Sequence, residues 1–427
     1  MDALILLGSF IALILIGMPV AYALGLSALI GAWWIDIPFQ ALMIQVAGGV
    51  NKFSLMAIPF FVLAGAIMAE GGMSRRLVAF AGVLVGFVRG GLSLVNIMAS
   101  TFFGAISGSS VADTASVGSV LIPEMERRGY PREFATAVTI SGSVQALLTP
   151  PSHNSVLYSL AAGGTVSIAS LFMAGVVPGL LMSACLMVLC LIFAKKRDYP
   201  KGEVIPLKQA LKICADALWG LMAMVIILGG ILSGIFTATE SAAVAVFYAI
   251  LIGVFVYREL RWSQLPRLLY VTGLLSAKVM FLIATATFVG FLFAHQKIPQ
   301  HLAEGMLAIT SQPWLVLLLT NILLLAIGCV IEVAAALIIL GPVLIPVMDS
   351  LGVNLVHFGV VMVVNLAIGT IHPPVGNCLY IVSAISEESI ARCSIAVIPV
   401  VGVMIAALML ITFVPEIVLV VPRYFGY

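Results

Sequence analysis

The stretch from Phe102 to Ser155 decides the fold of this chain. It begins with FFGAISGSSVADTASVGSVLIPEMERRGY (102–130) and ends with TPPSHNS (149–155). Small residues fill its first part, where Asp113 is an isolated carboxylate. The Pro-Pro pair lies inside a run of 61 residues, 134–194, that contains no Asp, Glu, Lys or Arg. A proline pair within so long an apolar run predicts a helix that is broken inside a hydrophobic environment.

A second stretch repeats this pattern in the other half of the chain. Residues 332–352 read EVAAALIILGPVLIPVMDSLG, and residues 370–377 read TIHPPVGN. In both copies Leu-Ile-Pro precedes Pro-Pro, and the same 27 positions separate the two prolines, from Pro123 to Pro150 and from Pro346 to Pro373. Repeats that contain broken helices are typical of duplicated transporter folds, in which the breaks form the binding site.

The composition is that of a polytopic membrane protein. Hydrophobic residues make up 62% of the 427 residues and charged residues 9%, with a mean hydropathy of +1.21, whereas soluble domains carry about 25% charged residues. Several uncharged runs exceed the roughly 20 residues of one helical crossing. They lack the alternation of barrel strands, so we predict an all-α fold. The net charge of +2 gives no reason to expect a nucleic-acid partner, and the six cysteines show no spacing typical of disulfides or metal sites.

We expect each half to contain five crossings, one re-entrant hairpin and one broken helix. The predicted boundaries are 1–194 for the first repeat (hairpin 91–126, broken helix 134–165), 195–215 for a cytoplasmic polar linker, and 216–427 for the second repeat (hairpin 313–348, broken helix 354–386). Because five is an odd number, two repeats with the same fold must have opposite orientations in the membrane.

The distribution of basic residues agrees with inverted repeats. The first hairpin is flanked by Arg75, Arg76, Arg89, Arg127, Arg128 and Arg132, whereas residues 312–357 around the second hairpin contain no Lys or Arg. The positive-inside rule therefore predicts that the base of the first hairpin is cytoplasmic and the base of the second is external. In this arrangement both termini are external.

The hairpin tips and helix breaks carry polar groups inside the apolar runs. A tip within a bilayer leaves backbone groups without helical partners, at a cost of several kcal/mol each unless a ligand satisfies them. The first tip, Ser107–Ser110, offers hydroxyls, and the first break, Thr149–Ser152 with Asn154, offers carbonyls, a hydroxyl and an amide. Oxygen ligands suit Na⁺, and the N-termini of half-helices favour an anion. The alternative is that these small residues only allow close helix packing.

Three carboxylates and two histidines stand out in the apolar segments. Asp113 and Glu332 lie within the hairpins, where a carboxylate is costly unless it faces water, a cation or a donor, and we interpret both as functional. Glu240 lies at a short joint and is either functional or a helix N-terminal cap. His153 and His372 adjoin the breaks, where hydrogen-bonded packing is favoured over a proton relay. The sequence contains no motif for ATP hydrolysis, no nucleophile elbow and no His or Cys metal-site spacing.

At these residues the sequence resembles the large membrane subunit of tripartite ATP-independent periplasmic (TRAP) transporters, the DctM type. The similar stretches extend over essentially the whole chain: IPFFVLAGAIMAEGG (58–72), SGSSVADTASVG (107–118), LFMAGVVPG (171–179), GIFTATESAAVAVFYAILIG (234–253), LGPVLIP (340–346), FGVVMVVNLAIG (358–369) and PPVGN (373–377). The resemblance implies Na⁺-coupled import of an organic acid, a carboxylate or a sugar acid, across the bacterial inner membrane by an elevator mechanism. It also implies a small four-helix membrane subunit and a periplasmic substrate-binding protein as partners, and no organic cofactor.

Site residues follow from the resemblance together with the reasoning above. The candidate substrate-binding residues are Ser107, Ser109, Ser152, Asn154 and Asn377. The candidate Na⁺ ligands, several through backbone carbonyls, are Gly108, Ser109, Asp113, Thr149, Pro150, Glu332, Thr370 and Pro373. Three positions depart from the family pattern: Ala238 stands in place of Pro, His372 in place of Thr and Glu332 in place of Asp. The last two concern the second site.

Two other classes of function are compatible with parts of the sequence. A stand-alone ion-coupled carrier of organic anions would have similar hairpins but would need no binding protein. An intramembrane enzyme would need a catalytic pair, and the sequence offers no convincing pair. A secondary active transporter is therefore the favoured interpretation.

Overall fold

The computed structural model is all-helical over the part of the chain that it describes, residues 2–202, 204–298, 301, 304–305, 312–373 and 376–426. The helices of the first half are α1 (Asp2–Leu15), α2 (Val20–Trp34), α3 (Phe39–Val50), α4 (Ala57–Glu70), α5 (Met73–Val85), α6 (Gly91–Ser107), α7 (Ser110–Arg127), α8 (Arg132–Ser143), α9 (Gln145–Leu148), α10 (His153–Ala161) and α11 (Ile168–Lys196). Those of the second half are α12 (Leu207–Leu232), α13 (Ala238–Leu251), α14 (Leu265–His295), α15 (Pro313–Gly328), α16 (Val333–Ser350), α17 (Leu355–Gly369), α18 (Asn377–Ser386), α19 (Ile390–Phe413) and α20 (Pro415–Tyr424).

The helices have the lengths of membrane spans. Within the described residues, seven are long and apolar enough to cross a bilayer: α4 with the preceding turn, α11, α12, α13 with its last turn, α14, α16 and α19. Shorter apolar helices include α2, α6, α15 and α17. The predicted class, an all-α polytopic membrane protein, is therefore confirmed.

The helices break where the sequence supplies glycine and proline. Helix α6 ends because Gly108 adopts a left-handed conformation with φ of 61°, which favours glycine. Helix α9 ends before Pro150 and Pro151, whose shared peptide bond is cis, and a proline cannot supply the N–H that would continue the helix. These interruptions divide 91–127 into a hairpin and 132–161 into a broken helix.

Helix boundaries can be compared directly with those expected. The hairpins correspond to α6–α7 and α15–α16, and the broken helices to α8–α10 and α17–α18. Residues 197–206 lie between α11 and α12, within the expected linker 195–215. Helix α11 retains Lys195 and Lys196 in its last turn, where basic side chains interact favourably with the helix dipole.

The first arm of each hairpin packs against the broken helix of its own half. In the first half, a Cβ on Gly104 of α6 would lie 2.4 Å from Ala146 Cα of α9. In the second half, a Cβ on Gly369 of α17 would lie 2.4 Å from the carbonyl carbon of Gly328 of α15. Contacts this short leave no space for a side chain, so backbone meets backbone beside each break.

The second arm of each hairpin packs against the broken helix of the other half. Helix α7 contacts α18, with the Cβ position of Gly118 3.9 Å from Ile385. Helix α16 contacts α10, where a Cβ on Gly341 would lie 2.6 Å from Ala161 Cβ. The two halves interlock at the centre of the molecule, which brings the two breaks close to each other.

The outer helices are joined across the two halves by charged groups at one end of the molecule. Arg76 donates to Glu259 at 2.9 Å and lies 3.7 Å from the centre of the Tyr257 ring, and Arg75 also pairs with Glu259. Arg267, at the start of α14, lies 3.8 Å from Glu70. We call this end of the molecule, defined by its three arginines, the basic end.

Candidate functional site

The first hairpin tip presents its serines at two adjoining helix ends. Ser107 is the last residue of α6, and Ser109 is the N-cap of α7, where its Oγ accepts a hydrogen bond from the backbone N–H of Ala112 at 3.3 Å. Gly108 lies between them. Because the cap uses a lone pair of the Ser109 oxygen, the hydroxyl proton stays available to donate to a ligand.

The first break contains buried polar groups without partners. Asn154 is fully buried, yet neither its Oδ1 nor its Nδ2 has a hydrogen-bond partner, and Thr149 Oγ1 also lacks one. Ser152 is different, because its Oγ donates to the Leu147 carbonyl at 2.7 Å and accepts from the Asn154 N–H at 3.3 Å. Unpaired polar groups in a protein interior are costly. Asn154 and Thr149 therefore have unused hydrogen-bonding groups, whereas the Ser152 hydroxyl is bonded within the break.

The first tip touches the first break. A Cβ on Gly108 would lie 3.3 Å from His153 Nδ1 and 3.6 Å from the Pro151 carbonyl oxygen. On the other side of the tip, a Cβ on Gly65 of α4 would lie 2.8 Å from Ser107 Cα. His153 Nδ1 is buried and has no hydrogen-bond partner. The tip is thus held between α4 and the break, with no space for larger residues at Gly65.

The second tip meets the second break in a related way. The N–H of Gly376 donates to the Cys329 carbonyl at 3.2 Å, which links the end of α15 to the start of α18. Glu332 is the N-cap residue of α16, but its side chain makes no cap hydrogen bond. Its carboxylate is therefore free of the usual structural role at this position.

Backbone carbonyls converge at the second break. A Cβ on Gly376 would lie 2.9 Å from the Thr370 oxygen and 3.1 Å from the His372 oxygen. His372 Nδ1 lies 2.5 Å from the Pro373 oxygen, a local contact that agrees with the packing interpretation of this histidine. Asn377, the first residue of α18, is exposed. Carbonyl oxygens in such a cluster can coordinate a hard cation.

A cavity of about 240 Å³ connects the first tip with Glu332. Ser107, Ser109 and His153 contribute to its wall, together with residues of α4 and α14. Lys278 of α14 lines the same cavity. The wall therefore combines hydroxyls with one carboxylate and one ammonium group, in surroundings that are otherwise mainly apolar. A few polar groups in an apolar cavity are typical of a small-molecule site.

Lys278 is the cavity residue that the sequence analysis missed. It is the only Asp, Glu, Lys or Arg between Arg267 and Lys297. An isolated charge within an apolar run of membrane length is itself a signal of function. That signal was available in the sequence, but only the fold shows that Lys278 and Glu332 line one cavity.

Asp113 lies behind the first tip and does not line this cavity. It is 0% exposed, and neither of its carboxylate oxygens has a hydrogen-bond partner. The Ser100 hydroxyl of α6 is near enough to influence the carboxylate but lies outside hydrogen-bond geometry. A buried carboxylate without a partner requires a cation or a proton to offset its cost.

A cluster around Cys378 links the first hairpin to the second break. Helix α7 packs against α18, which brings Ser110 and Thr114 near the Cys378 thiol. The backbone N–H of Cys378 donates to the Thr370 carbonyl at 3.1 Å, at the second break. The second arm of the first hairpin therefore lies against the second break.

Glu240 has a structural role. Its carboxylate accepts from the Thr237 backbone N–H at 2.8 Å, and Thr237 Oγ1 accepts from the Glu240 backbone N–H at 3.3 Å. This reciprocal pair is a capping box at the start of α13. Of the two interpretations that the sequence allowed, the structure supports the helix cap.

Hairpins and broken helices around a polar cavity, in a chain of many apolar helices, define this protein as a membrane transporter. The fold resembles the crystal structure of the Alcanivorax borkumensis YdaH transporter, with a TM-score of 0.62, 16% identity and coverage of 88% of each chain. Residues 7–417 match the family described as "Tripartite ATP-independent periplasmic transporter, DctM component". The chain belongs to this family, the large permeases of TRAP transporters, and the resemblance inferred from its motifs is confirmed.

Curated relatives match the chain over nearly its full length. The C4-dicarboxylate TRAP transporter large permease protein DctM of Rhodobacter capsulatus is 40% identical, with 100% of both chains covered. The sialic acid TRAP transporter large permease protein SiaM of Vibrio cholerae is 37% identical, with 98% of each covered. The isethionate TRAP transporter permease protein DctMQ of Oleidesulfovibrio alaskensis is 41% identical over 99% of this chain and 66% of its own length. The chain is thus a multi-pass membrane protein of a bacterial TRAP transporter.

Proposed function

We propose that this chain is the large permease of a Na⁺-coupled TRAP transporter that imports an organic acid delivered by a periplasmic binding protein. The observation that carries the proposal is the cavity that Ser107 and Ser109 share with Lys278 and Glu332. In so apolar a protein, ionisable and hydroxyl groups around a cavity mark the path of a polar substrate. Relatives are named for C4-dicarboxylates and for sialic acid, and an organic acid suits a cavity that contains a lysine.

The coupling ion is assigned to the buried oxygens beside this cavity. Asp113, Thr149 and Asn154 have side-chain oxygens that are buried and without partners, and the carbonyls of Thr370 and His372 converge at the second break. Hard oxygen ligands of this kind fit Na⁺. Bound Na⁺ would supply the positive charge that the buried Asp113 carboxylate needs. Further proposed ligands are Gly108, Ser109, Pro150, Glu332 and Pro373.

The proposed mechanism is an elevator built from two inverted repeats. The spacing of residues supports two repeats: 223 positions separate Pro150 from Pro373, and the same number separates Ala146 from Gly369. In each pair, the two residues occupy corresponding places in the two halves. Helix α14 lines the 240 Å³ cavity with residues 275–282 and a second cavity, of about 350 Å³, with residues 283–294. A unit of hairpins and broken helices that moved along α14 would open one of these cavities and close the other.

The proposed partners are a small four-helix membrane subunit and a periplasmic binding protein. The relative named DctMQ matches this chain over only 66% of its own length, so it contains additional sequence that is compatible with a second membrane component. Helices α1 and α2 expose large apolar side chains, including Leu15 at 81% and Trp33 at 73%. Lipid or a partner helix would have to cover them, because apolar side chains avoid water.

The proposed orientation places the basic end in the cytoplasm, in accordance with the positive-inside rule. Both termini would then be periplasmic. The cavity that contains Ser109 and Lys278 involves the part of α14 nearer to Arg267. Cysteine labelling of single variants at Arg267 and at Lys52, which lines the other cavity, would test this orientation in right-side-out vesicles.

Uptake into proteoliposomes tests the proposed function. The vesicles contain this chain and its small partner, with or without an inward Na⁺ gradient and with a purified binding protein preloaded with an acid. The acids are succinate, sialic acid and isethionate. We expect uptake to require both the gradient and the binding protein. Uptake of the free acid by this chain alone would instead identify a self-sufficient carrier, and uptake that ignores the gradient would remove the coupling ion from the proposal.

A further inference from the structure

Lys278 lies deep within a membrane-length helix. It follows Arg267, at the basic end, by 11 residues of α14, or about 16 Å of helix. It precedes His295, the last residue of α14, by 17 residues, or about 26 Å. The apolar core of a bilayer is about 30 Å thick. A lysine at this depth is costly unless it lines a polar cavity or pairs with an anion.

Lys278 lines a cavity whose wall carries several polar groups. Its side chain is exposed, and it lines the same cavity as Ser107, Ser109 and Glu332. Ser276, two residues earlier in α14, lines this cavity too and has an unpaired hydroxyl. The ammonium forms no salt bridge within 4.0 Å with the carboxylates of the described residues. Its charge is therefore available to a ligand in the cavity.

Glu332 is the charged neighbour of Lys278. Both side chains line the same cavity and carry opposite charges. The Glu332 side chain is exposed and lines this cavity. Two opposite charges that line one mainly apolar cavity reduce each other's cost even when they form no ion pair.

We propose that Lys278 binds the anionic group of the substrate and that Glu332 is its counter-charge when the site is empty. The inference rests on the proposed function and specifies its substrate. The Ser109 hydroxyl, which is free to donate, would bind an acceptor oxygen of the same molecule. The site therefore takes a small organic anion that has a carboxylate or sulfonate for Lys278 and a second oxygen group for the tip.

Direct binding to the purified full chain tests this inference without transport. Thermal unfolding of the detergent-solubilised protein, in Na⁺, is titrated with succinate, sialic acid and isethionate, and a dissociation constant is derived from the stabilisation. For the acid that binds the wild-type chain best, Lys278→Gln should raise the dissociation constant about tenfold or more, since a hydrogen bond to a charged group is lost. Lys278→Arg should retain most of the affinity. Lys212→Gln, which removes a lysine on α12 outside the cavity, should have no effect.

A double variant separates substrate binding from charge neutralisation. The double variant Lys278→Gln/Glu332→Gln carries neither charge. If Lys278 served only to neutralise Glu332, removing both charges would restore the wild-type affinity. We expect the double variant to bind as weakly as Lys278→Gln alone. Recovery of wild-type affinity in the double variant, an unchanged affinity in Lys278→Gln, or no binding of any of the three acids to the wild-type chain would overturn the proposal. Failure of uptake alone, with binding intact, would affect only the proposed function.

Discussion

Gly369 lies with its backbone directly against that of Gly328, so that a Cβ on Gly369 would be 2.4 Å from the Gly328 carbonyl carbon. Gly328 is the last residue of α15 and Gly369 the last residue of α17. The first arm of the second hairpin and the first part of its broken helix therefore end at one contact. A shift between these helices would move both Glu332 and Thr370, which follow them in the chain.

Gly369→Ala should destabilise the protein, because the added methyl group meets backbone that cannot move aside as a side chain would. Overpacking of this kind costs about 1–3 kcal/mol, which we expect to appear as a melting temperature several degrees lower in detergent. The matched control is Gly402→Ala in α19, where a Cβ has nothing within 4 Å. Equal melting temperatures for the two variants would contradict the packing argument.

Gly65→Ala should impair transport more than stability. The added Cβ would lie 2.8 Å from Ser107 Cα and would push the first tip, which forms the cavity wall, away from α4. We expect uptake about tenfold lower than that of the wild type, since misplacing a binding group by about 1 Å is expensive. Gly229→Ala in α12, with no atom within 4 Å of the new methyl group, serves as the control. Normal uptake by Gly65→Ala would mean that the tip tolerates displacement.

Substitutions of Ser109 can distinguish a helix cap from a binding hydroxyl. Alanine at an N-cap costs about 1 kcal/mol, whereas glycine costs only a few tenths. If the Ser109 hydroxyl binds substrate, Ser109→Ala and Ser109→Gly should lose uptake to the same extent, about tenfold, because both lack the donor. Ser119→Ala on the exposed side of the same helix should behave as the wild type. Loss in the alanine variant with near-normal uptake in the glycine variant would identify Ser109 as a cap only.

Asp113→Asn should weaken the response to Na⁺. A ligand that binds the folded state raises the melting temperature as its concentration increases. We therefore expect NaCl to stabilise the wild-type chain more than KCl at equal ionic strength, and the difference to be largely lost in Asp113→Asn. Glu416→Gln, an exposed surface change in α20, controls for the loss of one carboxylate. A full Na⁺ response in Asp113→Asn would exclude this carboxylate from the ion site.

The positions of the helix breaks were predictable because they depend on local chemistry. Gly108 ends α6, and Pro150 with Pro151 ends α9, as the distribution of glycine and proline indicates. The apolar composition likewise predicts helices that span a membrane, since a bilayer offers the backbone no other hydrogen-bond partners.

Ser152 stays a predicted substrate-binding residue, but the partner of its hydroxyl could not be predicted from the sequence. The hydroxyl donates to the Leu147 carbonyl. Such a bond depends on how the broken helix folds back and leaves no pattern in the sequence. By contrast, Ser107 and Ser109 of the first tip both line the cavity.

The sequence by itself determined that the chain is helical and membrane-spanning, because composition and the spacing of proline and glycine act over short distances along the chain. Its motifs also identified the family. Tertiary structure alone decided which polar groups share a cavity. Lys278 and Glu332 are 54 positions apart on different helices, and only the packing of α14 beside α16 puts both in the wall that contains Ser109. The strength of an electrostatic interaction depends on the distance between the charges in space. The fold sets that distance, and the order of residues along the chain does not.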